Sequence, residues 1–479
     1  MYIQNQTDKS AALRHWWAAV SLMVTVTISL YLLFPVSLAA QPSDPEPDFF
    51  TSTKGLRLKV LKSDHIPFIH AQLVIYYSEK VKNPAIPYLT LLNIFDGNLK
   101  GNDTHLLSIL KKLGNDYQVE HRPDFLLFKI NFLPDKILLF LRFLKALYSY
   151  RPFLELNAAA GSYVDEKQKL NTETRFKDSI SNYWNYFFRQ GGWKTRIAYQ
   201  IAYHHWFPSA IMGQTLITPD SLKNVTLDQL RSFYKRTYLL SNSLLIIKGN
   251  IEQPGILHGH IERIFASFKK QPPRVPIVEE LTINSNNKII VFNTQNDDTP
   301  TMFWFQAVPT YNNRKPLASL VLNNILFTYP TGRLFFNSRA FNINIFRMDT
   351  QMENHQGLTV ICNTIRLRYV DIRNFILLVE KERKKLRVQE VDRIEYLKTL
   401  SNIYGRLEVN TQYFENDISL EIINIKAEFY AKKISLASLN KKVDHSNQEL
   451  VVIVGNAKLI LADLGPLASR KVEVIDFTR

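Results

Sequence analysis

Apolar and polar residues alternate through Leu56-Arg57-Leu58-Lys59-Val60, and again through Lys288-Ile289-Ile290-Val291-Phe292. A period of two predicts a strand opening each half of the chain. Gln72 to Tyr77 continues as a second strand, and Phe125 to Phe132 as a third with Phe128, Ile130 and Phe132 on one face. Elsewhere the apolar period lengthens. Pro84 to Phe95 places Tyr88, Leu92 and Phe95 beside Leu91 and Ile94 at helical spacing. His105 to Leu113 reads as a helix with Asp103 or Thr104 as cap and Gly114 as stop. Pro134 opens a long amphipathic helix through Tyr148. Further on, Pro316 to Phe327 and Tyr369 to Leu386 read as helices. The second of these carries Glu380-Lys381-Glu382-Arg383-Lys384-Lys385, expected to be a solvated helix face.

The two halves end alike. Leu244 to Asn250 is a strand followed by a helical stretch, and Leu450 to Asn456 precedes a second one, Lys458 to Leu464. Between the halves, Gln271-Pro272-Pro273-Arg274-Val275-Pro276 can sustain neither a helix nor a central strand. The pattern implies a duplicated α/β unit, organised as a leader over 1–40, a first domain over 41–270, a linker over 271–287 and a second domain over 288–479.

The leader has its own pattern. Lys9 and Arg14 precede the uncharged stretch Trp16 to Phe34, and Ser37-Leu38-Ala39-Ala40 follows. These are the parts of a secretory signal. The stretch is also long enough to remain as a membrane anchor, with Asp44, Glu46 and Asp48 just beyond it. The chain is therefore expected to be exported, to a bacterial cell envelope, as a periplasmic protein or one anchored to face the periplasm. With 479 residues, 46% hydrophobic and 21% charged, the composition is globular, and its formal charge of +16 favours anionic surfaces, so membrane association is a candidate property. No basic run is interleaved with stacking aromatics, so a nucleic-acid partner is not expected. The single cysteine, Cys362, lies in an apolar strand-like run and is expected to be a buried thiol.

Several segments resemble the insulinase/pitrilysin family of zinc peptidases (inverzincins, like the mitochondrial processing peptidases), over nearly the whole chain after the leader. Gly55-Leu56-Arg57 is similar to the family's opening "NGLRV". Between Gly213 and Asn250, the residues Leu222, Leu227, Asp228, Leu230, Phe233, Tyr234, Tyr238, Asn242 and Gly249 follow a family pattern in order and spacing. The resemblance implies an α+β fold of two homologous sandwich halves. Each would be a mostly antiparallel sheet with helices packed on one face, and the halves would face each other across a cleft.

The family's zinc motif, H-x-x-E-H, supplies two ligands one helical turn apart and a glutamate that activates water. On the matching helix this chain has Tyr88, Leu91 and Leu92, while Phe95 and Gly97 still fit the motif's tail. Glu166 is a candidate remnant of the downstream carboxylate ligand, set against a plain surface glutamate. His204-His205, His258-x-His260, His65 and His70 lack metal-ligand spacing and are expected to be structural. Gly332 to Arg339 is similar to the family's "SRL…VR", which places Arg339 on the substrate-binding arginine. The tyrosine expected seven residues on is Phe346, so the ring persists without its hydroxyl donor.

No catalytic residue, metal site or cofactor is therefore expected, zinc included. The expected role is a non-catalytic subunit in a hetero-oligomer with a zinc-bearing member of the family. A stand-alone module that binds peptide or protein segments, in the manner of a chaperone, is the alternative, and a zinc-dependent endopeptidase a third reading.

Overall fold

A computed structural model describes residues 48–476, apart from intervening segments of which the chief ones are 96–104, 150–173, 272–282, 310–315 and 413–447. The leader, the caps Asp103 and Thr104, Gly97, Glu166 and most of the linker lie outside the described residues.

The first half builds a six-stranded sheet. Strand β1 (Asp48–Thr51) turns through Gly55, which has φ +97°, into β2 (Arg57–Lys62). β3 (Ile69–Tyr76) leads to helix α1 (Ala85–Phe95) and then α2 (His105–Leu113), which stops at Gly114. Strands β4 (Tyr117–His121) and β5 (Phe125–Phe132) form a hairpin, and Pro134 starts a short 3-10 turn that runs into α3 (Ile137–Ser149). Helices α4 (Tyr183–Arg189), α5 (Trp193–Trp206), α6 (Pro219–Lys223) and α7 (Leu227–Thr237) follow. Thr218 and Thr226 close capping boxes on α6 and α7 with Ser221 and Gln229. Strand β6 (Ser243–Gly249) and helix α8 (Pro254–Ile264) complete the half.

The second half repeats the plan with β7 (Lys288–Asn293), β8 (Thr301–Pro309), α9 (Pro316–Phe327), α10 (Arg333–Ser338), β9 (Ile345–His355) and β10 (Leu358–Leu367). Then come α11 (Ile372–Val388), α12 (Arg393–Gln412), β11 (Glu449–Gly455), α13 (Ala457–Leu464) and β12 (Lys471–Asp476).

Strand order is β1-β2-β6-β3-β5-β4 in one sheet and β12-β7-β11-β8-β10-β9 in the other. Five positions correspond: each half's last long strand inserts parallel to its opening strand, β6 beside β2 and β11 beside β7, and the remaining central pairs are antiparallel. The duplication inferred from the strand patterns is thus present in the topology. Only the sixth strand differs, being the antiparallel β1 in one sheet and the parallel β12 in the other.

Side-chain alternation divides the second sheet's core. Met302 and Trp304 face helices α9 to α13, whereas Phe303, Phe305 and Ala307 turn to the opposite face. That opposite face is not bare. Helix α5 of the first half lies across it, with Tyr199 and Trp206 against Phe305 at ring-centroid distances of 5.0 and 6.1 Å. Tyr203 donates to Glu353 at 2.7 Å, and Lys194 pairs with Asp297 at 2.9 Å. One apolar cluster consequently spans both halves.

The charged run on α11 departs from the expected solvated face. Glu382 is buried and pairs with Lys385 at 2.6 Å, Arg383 pairs with Glu449, and Glu380 accepts from Arg470 at 3.2 Å. The guanidinium groups of Arg383 and Arg470 lie 5.1 and 4.8 Å from the centroid of the buried Trp304 ring. A helix that packs on a sheet must turn some of six consecutive charges inward, and here those charges find partners.

Candidate functional site

Helix α1 carries Tyr88, Leu91 and Leu92, the residues that the sequence resemblance set on the zinc motif, and nearly every residue of it is buried. It is apolar almost all round, as a helix covered on several sides must be. Its polar exceptions are satisfied locally: Thr90 donates to the Ile86 carbonyl, and Asn93 donates to Leu89 O and Ser179 Oγ.

Tyr88, Leu91 and Leu92 are all buried. Tyr88 meets Tyr183 of α4 edge-on at 5.0 Å, Phe187 at 6.4 Å and His121 of β4 at 6.5 Å. From Tyr183 the ring contacts continue through Trp184, Phe187 and Phe188 to Trp193 at the start of α5. Burial drives the Tyr183 phenol well above its ordinary pKa, reinforced by Tyr88 and opposed by Arg196. The phenol therefore stays neutral. Zinc requires deprotonated or lone-pair donors held in a tetrahedral set. Two leucines and a tyrosine within an aromatic cluster do not fit that requirement. Among the described residues no group of three or more His, Cys, Asp or Glu is placed to hold a metal.

Of the histidines weighed as metal ligands, His65 lies outside the described residues and the others sit away from this helix. His70 pairs with Asn131, His204 bonds the Gly213 carbonyl at 2.9 Å, and His258 stacks on Phe50 at 4.2 Å. His260 shares helix α8 with His258 two residues apart, so the two point in different directions. His205 is half-buried, and its pKa is lowered by burial and then by Lys288. Cys362 is fully buried on β10, with its thiol pushed up by burial.

Arg339 follows α10 and is exposed, its guanidinium 5.8 Å from the centroid of the Phe335 ring. Phe346, near the start of β9, is 55% exposed. Both lie outside the aromatic cluster around Tyr88. Between Gly213 and Asn250 the matching residues serve packing: Leu222, Leu230, Phe233, Tyr234 and Tyr238 are buried, and Asn242 donates to the carbonyls of Arg236 and Thr237. Gly249 has φ +141°, and a Cβ there would run into the Phe68 carbonyl, so only glycine fits.

The motifs do not point to two features of this region. One is the aromatic cluster itself, whose only trace is the dense run Tyr183-Trp184-Asn185-Tyr186-Phe187-Phe188. The other is the polar face of the first sheet. Arg57 lies over Tyr76, Lys59 is buried against Phe49, and Lys129 pairs with Glu120 at 3.2 Å.

Residues 224–394 match the family model of the peptidase M16 inactive domain. No curated protein matches the sequence. Among solved structures, the chain is similar to a peptidase M16 inactive domain from Pseudomonas fluorescens, with 13% identity, a TM-score of 0.61, and 86% of this chain and 98% of that chain covered. It is also similar to the periplasmic protease PqqL from Escherichia coli, with 13% identity and a TM-score of 0.63, covering 89% of this chain and 49% of PqqL, so it spans about half of that protein. A chain of complex III2 from Candida albicans aligns with 12% identity and a TM-score of 0.59, covering 87% and 97%. At these identities the solved structures establish the fold. The chain thus has the fold of these M16 structures, and its residues 224–394 match the model of the peptidase M16 inactive domain.

Proposed function

We propose that the protein is a non-catalytic, exported partner of a zinc-bearing M16 peptidase. The observation that carries this reading is the burial of Tyr88, Leu91 and Leu92 in an apolar and aromatic cluster where the family places its ligands and base. The match to an inactive domain supports it. So does the occurrence of this fold in a component of complex III2, an assembly, and in PqqL, a periplasmic protein. Arg339 is exposed and free of any carboxylate partner among the described residues, which leaves it open to a carbonyl or carboxylate of a partner or its substrate.

The test is co-purification of the tagged full-length chain from its native host. A sister chain with an intact H-x-x-E-H should be recovered. The isolated chain should carry no stoichiometric zinc and show no chelator-sensitive peptide cleavage, while Arg339→Ala should reduce cleavage by the pair. Stoichiometric zinc with cleavage by the single chain would sink the reading. Stand-alone peptide binding is favoured by one observation, the eleven-residue edge strand β9, which offers a free row of backbone groups for strand addition. Saturable peptide binding by the chain without a partner would support that reading instead.

A further inference from the structure

Sixteen large apolar side chains are exposed among the described residues, and nine of them fall between Tyr329 and Leu397. Apart from Phe346 on strand β9, these residues lie on the helices and turns of the second half, whose helical layer covers the side of the sheet away from α5. Monomeric surfaces expose single apolar residues freely, but a concentration on one layer marks a contact surface.

The helices of the layer are tied together. Lys381 of α11 lies 4.7 Å from the centroid of the Phe341 ring, just after α10, and Arg333 of α10 forms two 2.7 Å bonds with Glu395 of α12. Leu377, Lys381, Lys384 and Val388 recur every three or four residues and make one exposed stripe along α11. Ile394 and Leu397 do the same at the start of α12. Val388 is 80% exposed, Phe336 and Ile394 63% each.

Charge distinguishes the layer further. Its carboxylates are largely used internally: Glu380 with Arg470, Glu382 with Lys385, Glu395 with Arg333, and Asp392 as cap for the Ile394 and Glu395 amides. Glu390 remains. Against it stand Arg339, Lys381, Lys384, Arg393 and Lys398, all exposed and without a carboxylate partner among the described residues.

We propose that this layer docks on the surface of an anionic lipid bilayer. Apolar tips set singly between cations suit a headgroup boundary, which accepts apolar groups at the acyl edge and cations at the phosphates at every position. A protein partner would instead call for a packed apolar centre with a polar rim.

The test uses the full-length chain, whose native thiol, Cys362, is buried and resists labelling. An environment-sensitive fluorophore is attached through Ile394→Cys, and in a control through Ile256→Cys, an exposed position on α8 of the first half. Vesicles of phosphatidylethanolamine with phosphatidylglycerol should blue-shift the probe at position 394 and raise its intensity at least about threefold. Neutral phosphatidylcholine vesicles should not. Lys381→Glu with Lys384→Glu, or high salt, should remove most of the change, and position 256 should not respond. Any insertion of the apolar stretch from Trp16 to Phe34 would tether all these samples alike without embedding position 394. The proposal is overturned by an unchanged probe at 394, by equal responses at 394 and 256, or by a response at 394 that needs a co-purified zinc-bearing M16 protein and no lipid.

Discussion

Leu91, which the sequence resemblance set on the family's glutamate, is buried on a helix with almost no exposed residue. A carboxylate there would be desolvated beside Tyr88 and Leu92. Leu91→Glu is expected to lower stability by at least about 3 kcal/mol, read from the urea midpoint, without creating zinc affinity. A stable, zinc-binding variant would show that the helix tolerates a buried carboxylate and a metal. His205 gives a pH effect of defined sign. Its folded pKa lies below that of an ordinary histidine, because burial and then Lys288 disfavour the cation. The unfolded chain therefore binds the proton more readily, and stability present above about pH 6.5 is lost as pH falls through the folded value. Thermal melts taken from neutral pH downward should decline less steeply for His205→Gln than for the native chain. Equal slopes would remove His205 from the account.

Among the elements, α11 departs most from its sequence reading, and α5 joins the two halves. The charges of α11 lock β12 and β11 to the helical layer through Arg470, Glu449 and Arg383, with Trp304 beside both arginines. Glu449 is almost fully buried, so Glu449→Gln removes the carboxylate that Arg383 and Arg470 share, while Arg470 keeps Glu380. A loss of about 3–5 kcal/mol is expected, measurable by chemical denaturation. A loss near zero would mean that the arginines relax toward water. Helix α5 has apolar, aromatic and polar residues with little amphipathic order, because it packs on both halves. Trp206, fully buried, is its anchor against Phe305. Trp206→Ala should cost about 3–5 kcal/mol through the cavity it leaves.

At the scale of the molecule, one apolar cluster runs from the first sheet through α5 to the inner face of the second. The two halves should therefore unfold together although each has its own sheet. Hydrogen exchange in β3 and in β8 should give matching protection, and Trp206→Ala should lower both by the same amount. Separate unfolding of the halves would show that α5 is a loose strap instead of shared core. Separating the halves would expose Tyr199, Trp206 and Phe305 to water.

The sequence alone determined several elements and the duplicated opening and closing strands, because strand and helix periods are local properties and the two halves share them. Phe125–Phe132 and Pro316–Phe327 match their predicted bounds. The apolar character of Tyr88, Leu91 and Leu92 on one helix was equally legible, since it needs only residue identity and spacing. Other properties depend on residues far apart in the chain, and only the tertiary structure decided them. Tyr88 meets Tyr183 because α4 crosses α1, Glu382 is buried because α11 lies on the second sheet, and the second sheet's inner face is closed because α5 returns to it. Burial and pairing are set by what packs against a residue, and no local period records the identity of that neighbour.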